Sequence, residues 1–270
     1  MGREPIVDVL EAIWFSTLEA TEGLDEQAWA GPTDLPGWTV KDVLSHVATA
    51  EAGLLGEPPD PVPVDHLPHV VTPFQELMEI GVEAWRPLPG AEVRDRFGDI
   101  ASRRVSRLRA MSAEEMSAPS WSPIGEVPYR EFMRVRAFDC WMHEQDIRRS
   151  LGRPGGLAGA AVEPTLERFR AALPAVVGKR AGAPEGSRIL VRATGSSPVD
   201  LALVVEGRTR LVDPAELGPP HVTVTLPFEA LVALGGGRWD RPRAEAEGDV
   251  TYEGDVELGH RVVEALPFTP

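Results

Sequence analysis

The stretch RVRAFDCWMHEQDIRRSLG, residues 134–152, combines a helical hydrophobic pattern with polar residues on the apolar face. At about 100° per residue, Asp139 and His143 lie roughly 40° apart on the helical wheel and one turn apart along the axis. The apolar residues of that face are Phe132, Val135, Met142 and Ile147, and the side assigned to solvent carries Arg130, Arg134, Glu144, Gln145 and Arg148. A buried carboxylate or imidazole is costly unless it is paired or bound to a metal. We predict a helix from about residue 129 to 151, ended by Gly152.

A second stretch, DLPGWTVKDVLSHVATAEAGLLG at residues 34–56, also combines a helical hydrophobic pattern with a polar residue, His46, close to the apolar face. Thr39 is a good N-cap, and Asp42 three residues later completes a capping-box-like start, which predicts a helix from about 40 to 55. His46 lies at the edge of its apolar arc. If the two helices pack together, His46 meets Asp139 and His143, and two imidazoles with one carboxylate suit zinc or another divalent transition metal.

The residues alone leave a simpler interpretation open. An acid and a histidine four residues apart on a helix often form only a hydrogen-bonded or ionic pair. A histidine inside a core is also more often a satisfied core residue than a ligand. The helical wheel therefore does not separate a metal site from a paired Asp139 and His143.

The rest of the chain predicts two domains. Helical patterns cover residues 4–22, 74–86, 91–113 and 163–177, whereas residues 56–73 contain six prolines and predict a long connection. The stretch SWSPIGEVPY is expected to be irregular. After residue 185, SRILVRA, VDLALVVEG, RTRLVDP and HVTVTLP alternate as strands do, and two short helical patterns follow. We expect a helical bundle over residues 1–180 and a small α+β domain over 185–270.

Composition excludes several classes of function. The chain has 270 residues, one cysteine and a formal net charge of −15, with no basic stripe, so nucleic-acid binding is not expected. No apolar stretch is long enough for a membrane span, and the first residues lack the pattern of a secretory signal. The single cysteine cannot form an intrachain disulfide, which suits a reducing compartment, and we expect a cytoplasmic protein. No motif fixes the oligomeric state, and a monomer or a homodimer is expected.

The segments LPGWTVKDVLSHVA and RAFDCWMHEQDIRRSLGRPGG resemble the two signature stretches of the DinB-like superfamily. More closely, they resemble its actinobacterial branch of mycothiol-dependent maleylpyruvate isomerase-type enzymes. The resemblance implies a DinB-like four-helix bundle followed by a small C-terminal α/β domain, which VTVTLPFEALVALGGGRW and GDVELGHRVVEALPFTP also resemble. It further implies that His46, Asp139 and His143 bind zinc. The acid differs, since the isomerase pattern has glutamate there.

The resemblance also implies that the open metal position receives the sulfur of a low-molecular-weight thiol, mycothiol. Metal coordination deprotonates a thiol whose free pKa is roughly 8.5, so it can attack a small electrophile. Addition followed by elimination gives cis–trans isomerisation, and addition or displacement alone gives S-transfer. Two alternatives remain open: a hydrolase that uses a zinc-bound water, and a non-catalytic protein that binds a small ligand.

Four further residues have weaker signals. Asp146 is a candidate for orienting a ligand imidazole or for an ion pair with an arginine. Arg136 is a candidate for holding a substrate carboxylate or the thiol cofactor, or for an internal salt bridge. Cys140 is expected to be buried in the core, and Trp38 either to wall a pocket or to pack in the core.

Overall fold

The computed structural model describes residues 4–247 and 250–269. The chain divides into two compact units, the first ending at Gly156 and the second beginning at Leu157. We expected the helical bundle to extend to about residue 180 and so to include the helix Glu163–Ala175. In the structure this helix belongs to the second unit, where it packs on the strand Arg208–Val212. The order of a helical unit followed by a sheet unit confirms the predicted fold class.

The first unit is built from helices and one small hairpin. Its elements are α1 Pro5–Ala20, α2 Glu26–Trp29, α3 Val40–Leu54, α4 Pro73–Trp85, α5 Gly90–Ala110, α6 Ala113–Ser117, β1 Pro119–Ser122, β2 Gly125–Pro128 and α7 Tyr129–Leu151. Helix α1 packs against α5 and α7, and α3 packs against α4, α5 and α7. This packing sets α3 beside α7, as the predicted site requires.

Helices α3 and α7 begin and end where their sequences predict. The Thr39 hydroxyl accepts a hydrogen bond from the Asp42 amide at 3.3 Å, and the Asp42 carboxylate accepts one from the Thr39 amide at 2.9 Å. This capping box satisfies two backbone donors at the start of α3. Helix α7 ends at Gly152, whose φ of 61° is a left-handed conformation that glycine adopts at little cost.

Two local predictions about this unit were wrong. The stretch before α7 is not irregular, because β1 and β2 pair as an antiparallel hairpin in which Ser122 lies opposite Gly125. Glu144 and Gln145 do not face solvent: both side chains are buried. Ser16 of α1 donates a hydrogen bond to the Glu144 carboxylate, and the Gln145 amide donates one to the carbonyl of Gly155. Helix α1 and the turn after α7 therefore cover the face of α7 that was expected to be exposed to solvent.

The second unit is a mixed sheet with helices. Its elements are α8 Glu163–Ala175 with a π-helical turn Val176–Arg180, β3 Arg188–Thr194, β4 Val199–Glu206, β5 Arg208–Val212, a 3₁₀ turn Pro214–Glu216, β6 Val222–Pro227, α9 Phe228–Gly235, α10 Arg241–Ala246, β7 Thr251–Gly254 and α11 Val256–Glu264. The strand order is β5-β4-β3-β6-β7, with β3 and β6 parallel and the other neighbours antiparallel. Strand β7 was not predicted, since it has four largely exposed residues and no apolar alternation.

Among the described residues, no helix is both long and apolar enough to cross a bilayer.

Candidate metal centre

The structure brings His46 of α3 together with Asp139 and His143 of α7. His46 Nε2 lies 3.6 Å from Asp139 Oδ2, and His143 Nε2 lies 3.7 Å from Asp139 Oδ1. The two imidazole centroids are 4.7 Å apart. One ligand atom from each residue lies within 4.8 Å of the other two. Side chains from two helices that are distant in the sequence therefore converge on one point.

The spacing of these atoms suits a divalent ion. Zinc binds nitrogen and oxygen ligands at about 2.0–2.2 Å, which sets ligand atoms in a tetrahedral site roughly 3.4 Å apart. The two distances from Asp139, each measured to a different oxygen of its carboxylate, are close to that value. The donor set is also the nitrogen and carboxylate set that zinc and similar ions prefer, so these residues fit the implied metal.

Burial differs among the three residues and leaves one side open. The side chains of His46 and His143 are 5% and 8% exposed, whereas that of Asp139 is 32% exposed. Solvent therefore reaches the cluster at the carboxylate, while the imidazoles are shielded from water.

The pKa shifts of His46 and Asp139 favour cation binding. Burial lowers the pKa of His46 below its ordinary value, and it prevails over the hydrogen bond to Asp139, so this imidazole is neutral at pH 7. Burial acts to raise the pKa of Asp139, but the charge of Arg136 holds that pKa well below its usual range. A neutral imidazole and an ionised carboxylate are the forms that bind metals.

Asp146 fixes the ring of His143. Its Oδ2 lies 3.1 Å from His143 Nδ1, an arrangement that suits an Nδ1–H donated to the carboxylate and leaves Nε2 turned toward Asp139. Asp146 also forms an ion pair with Arg149, which in turn lies 2.8 Å from Asp34. Both predicted contacts of Asp146 are thus present together, and such a carboxylate is a common support for a ligand histidine.

Arg136 forms the internal salt bridges that the sequence allowed. Its Nη1 lies 2.7 Å from Asp139 Oδ2, and its Nε lies 2.9 Å from Glu51 Oε1. Glu51 is completely buried and also accepts from Arg104 Nε at 2.8 Å. Sequence reasoning missed Glu51 and Arg104. A charged residue between alanines inside an amphipathic helix, as in TAEAG, was the signal available for Glu51.

Trp38 lies beside the cluster, just before α3. Its ring centroid is 5.1 Å from that of His46 and 6.0 Å from that of His143. Its indole N–H donates to the buried Glu79 of α4 at 2.7 Å. Of the two interpretations left open for Trp38, a wall beside the candidate site is the one that matches this position.

A family model described as the mycothiol maleylpyruvate isomerase N-terminal domain matches residues 10–148, more than half of the chain. The chain belongs to this family. The crystal structure of the mycothiol-dependent maleylpyruvate isomerase is similar over 94% of this chain and 93% of that chain, with 18% sequence identity and a TM-score of 0.57. A histidine-to-alanine mutant of that enzyme gives the same values. At this identity the likeness shows the fold alone, and no curated protein matches the sequence.

Membership of the maleylpyruvate isomerase family confirms the resemblance stated from the two signature stretches. The matched part contains all three residues of the metal-site candidate and ends within α7. The fold likeness extends further and includes most of the second unit, since it covers 94% of the chain.

The cysteine of this maleylpyruvate isomerase family member is not one of the three grouped candidate ligands, and its sulfur lies beside Arg136 and Glu51. Cys140 is buried, as predicted, and its sulfur accepts a hydrogen bond from the Trp14 indole at 3.4 Å. Burial raises the pKa of the Cys140 thiol to about 12, so it stays protonated at neutral pH. A protonated, buried thiol is a poor nucleophile and a poor metal ligand.

Proposed function

We propose that this protein is a metal-dependent enzyme that uses mycothiol to isomerise, or to transfer sulfur to, a small electrophilic substrate. His46, Asp139 and His143 would hold the ion, with zinc the metal that the ligand set favours. The observation that carries the proposal is the convergence of these side chains, with distances of 3.6 and 3.7 Å from the carboxylate to the two Nε2 atoms. The family match supports the thiol and the isomerase-like chemistry.

An ion of this kind, when bound, lowers the pKa of a coordinated thiol, and a thiolate that adds to and then leaves a conjugated double bond permits rotation about that bond. The chain's own residues prepare the site. Asp146 holds the Nδ1 side of His143, so that Nε2 is presented as the donor. Such support is worth roughly 10–100-fold in metal affinity in other proteins.

Arg136 has a second preparatory role. Its guanidinium bridges Asp139 to the buried Glu51, so that it keeps the carboxylate ionised and fixes its direction. Because Glu51 compensates the charge of Arg136, the arginine is held in place without an approaching ligand. The exposed third of Asp139 leaves an approach for a thiol and an electrophile.

The metal proposal is tested by metal analysis of the purified full-length protein. We expect about one zinc or other divalent ion per chain in the wild type and a large loss in His46→Ala. His66→Ala is the matched control, because His66 is an exposed histidine of the proline-rich connection. Equal metal content in the wild type and His46→Ala would remove His46 from the site.

The thiol proposal is tested with metal-loaded protein, mycothiol and maleylpyruvate. We expect conversion only when metal and mycothiol are both present. Turnover without the thiol would instead support a zinc-water hydrolase, and stoichiometric ligand binding without metal would support a non-catalytic binding protein. A cytoplasmic location, the absence of nucleic-acid and membrane partners, and a monomeric or homodimeric state complete the proposal.

A further inference from the structure

Trp38 turns its ring, and not its polar edge, toward the candidate site. The ring lies within 5.1 and 6.0 Å of the two candidate ligand imidazoles, measured between centroids. The indole N–H is already engaged, because it donates to Glu79 at 2.7 Å. A ligand at the cluster therefore meets an aromatic surface that has no hydrogen-bond donor to offer.

Glu79 is placed to hold that indole. Its side chain is 2% exposed, and both of its oxygens are bound. Oε2 accepts from Trp38 and lies 3.2 Å from His69 Nε2, while Oε1 accepts from Arg86 Nη2 at 2.7 Å. With Arg86 and His69 fixing the carboxylate, Trp38 has one favourable orientation, the one in which its N–H reaches Glu79.

The backbone before Trp38 is fixed as well. Gly37 has a φ of 78°, a left-handed conformation. A Cβ at that position would lie 2.6 Å from His69 Nδ1, so the proline-rich connection packs directly on this turn. Trp38 is thus held on two sides, by the turn that carries it and by the carboxylate that binds its N–H.

We propose that Trp38 is a substrate-contact residue that stacks on the planar, conjugated part of the electrophile, and that Glu79 is its positioning residue. The inference rests on the proposed function, since it assumes a ligand at the His46, Asp139 and His143 cluster. An aromatic face favours a flat π system over a saturated chain of the same length and charge. The held orientation prevents the indole N–H from competing for the substrate's polar groups.

The test uses two dicarboxylates of equal charge, planar maleate and saturated succinate, as probes of the metal-loaded full chain. Calorimetry gives the ratio of their dissociation constants. We expect Trp38→Leu to reduce the preference for maleate by roughly three- to tenfold, the factor that an aromatic stacking contact contributes. Trp38→Phe, which keeps a ring, should retain most of the preference. Trp121→Leu is the matched control, since Trp121 is an exposed tryptophan of the hairpin.

Binding of Co²⁺, followed by its absorption spectrum, is measured on the same samples. We expect Co²⁺ affinity within about twofold of the wild type in both Trp38 variants, because Trp38 is not one of the ligands. A wild type without preference for maleate, or an unchanged preference in Trp38→Leu, would overturn the role of Trp38. Failure of the wild type to bind Co²⁺ would instead refute the proposed function itself, so the two failures are distinguishable.

The role of Glu79 is tested by a double-mutant cycle. If Glu79 acts through the indole N–H, Glu79→Met, which removes the acceptor, lowers the maleate preference in the wild-type background and has no further effect in Trp38→Phe, which lacks that N–H. A merely structural role would give the same change in both backgrounds. That outcome would end the assignment of Glu79 as a positioning residue, whatever its effect on stability.

Discussion

Replacing Glu51 with alanine should strongly destabilise the protein, because this carboxylate compensates two buried arginines. Glu51 is fully buried, and it lies 2.8 Å from Arg104 Nε and 2.9 Å from Arg136 Nε. After the replacement Arg136 keeps its contact with Asp139. Arg104, whose side chain is 1% exposed, keeps only the Tyr129 hydroxyl at 3.3 Å and a methionine sulfur among the hydrogen-bond partners described for it.

The magnitude follows from the uncompensated charge. Removing one partner of a buried ion pair costs about 3–5 kcal/mol, whereas replacing both partners with apolar residues is often neutral. For a chain of this size 1 kcal/mol shifts Tm by about 2–4 °C, so the expected loss is on the order of 10 °C. The double variant Glu51→Ala with Arg104→Met should recover a large part of it.

Urea unfolding and calorimetry of the full-length protein measure the effect. Glu57→Ala is the matched control, since Glu57 pairs with Arg103 at the surface. Its replacement should change neither the urea unfolding curve nor the melting temperature measurably. A loss in Glu51→Ala no larger than in Glu57→Ala would refute the reasoning. A double variant less stable than Glu51→Ala would also refute it, because the cost is assigned to the charge left on Arg104.

Three other predictions test the surroundings of the site. Asp146→Asn should lower metal affinity by roughly 10–100-fold in a chelator competition, while Asp34→Asn, which removes a carboxylate bound to the same arginine, should not. Gly37→Ala should cost about 1–3 kcal/mol by urea unfolding, from left-handed strain plus a close contact, and should cost more than Gly23→Ala, which has the strain but no atom within 4 Å. Burial acts to raise the pKa of Glu79, but the hydrogen bonds that its carboxylate accepts hold this pKa below the ordinary value of 4.5. The stability that the ionised carboxylate contributes is therefore complete above pH 4.5 and is lost as pH falls through the folded-state pKa. The stability difference between wild type and Glu79→Gln should therefore shrink below pH 4.5, and a difference that is constant down to pH 3 would contradict this.

Local signals in the sequence were enough to predict the two helices that carry the site. The capping box at Thr39 and Asp42 and the glycine at 152 fix the ends of α3 and α7 through contacts within a few residues. The helical period places Asp139 and His143 on one face. The meeting of His46 with them was a conditional prediction from the residues, and the resemblance of the two stretches made it specific.

The support around the cluster could not be predicted in the same way. Glu51 of α3 pairs with Arg104 of α5, and Trp38, just before α3, pairs with Glu79 of α4. No local sequence pattern indicates such pairs. The helical wheel misassigned Glu144 and Gln145 because it assumes one solvent side, whereas α1 contacts Glu144 and the turn after α7 contacts Gln145. These long-range polar contacts could therefore be identified only from the three-dimensional structure.

The candidate ligands come from two helices that are far apart in the chain, with α4, α5, α6 and the hairpin between them. An ion held there would act as a cross-link across this long loop, and only the native fold brings its ends together. Its free energy of binding would then add to the folding equilibrium, by about 2.7 kcal/mol at a free-ion concentration one hundred times Kd. The melting temperature would then rise with the free-ion concentration, so the thermal stability of the protein would report how much metal is available to it.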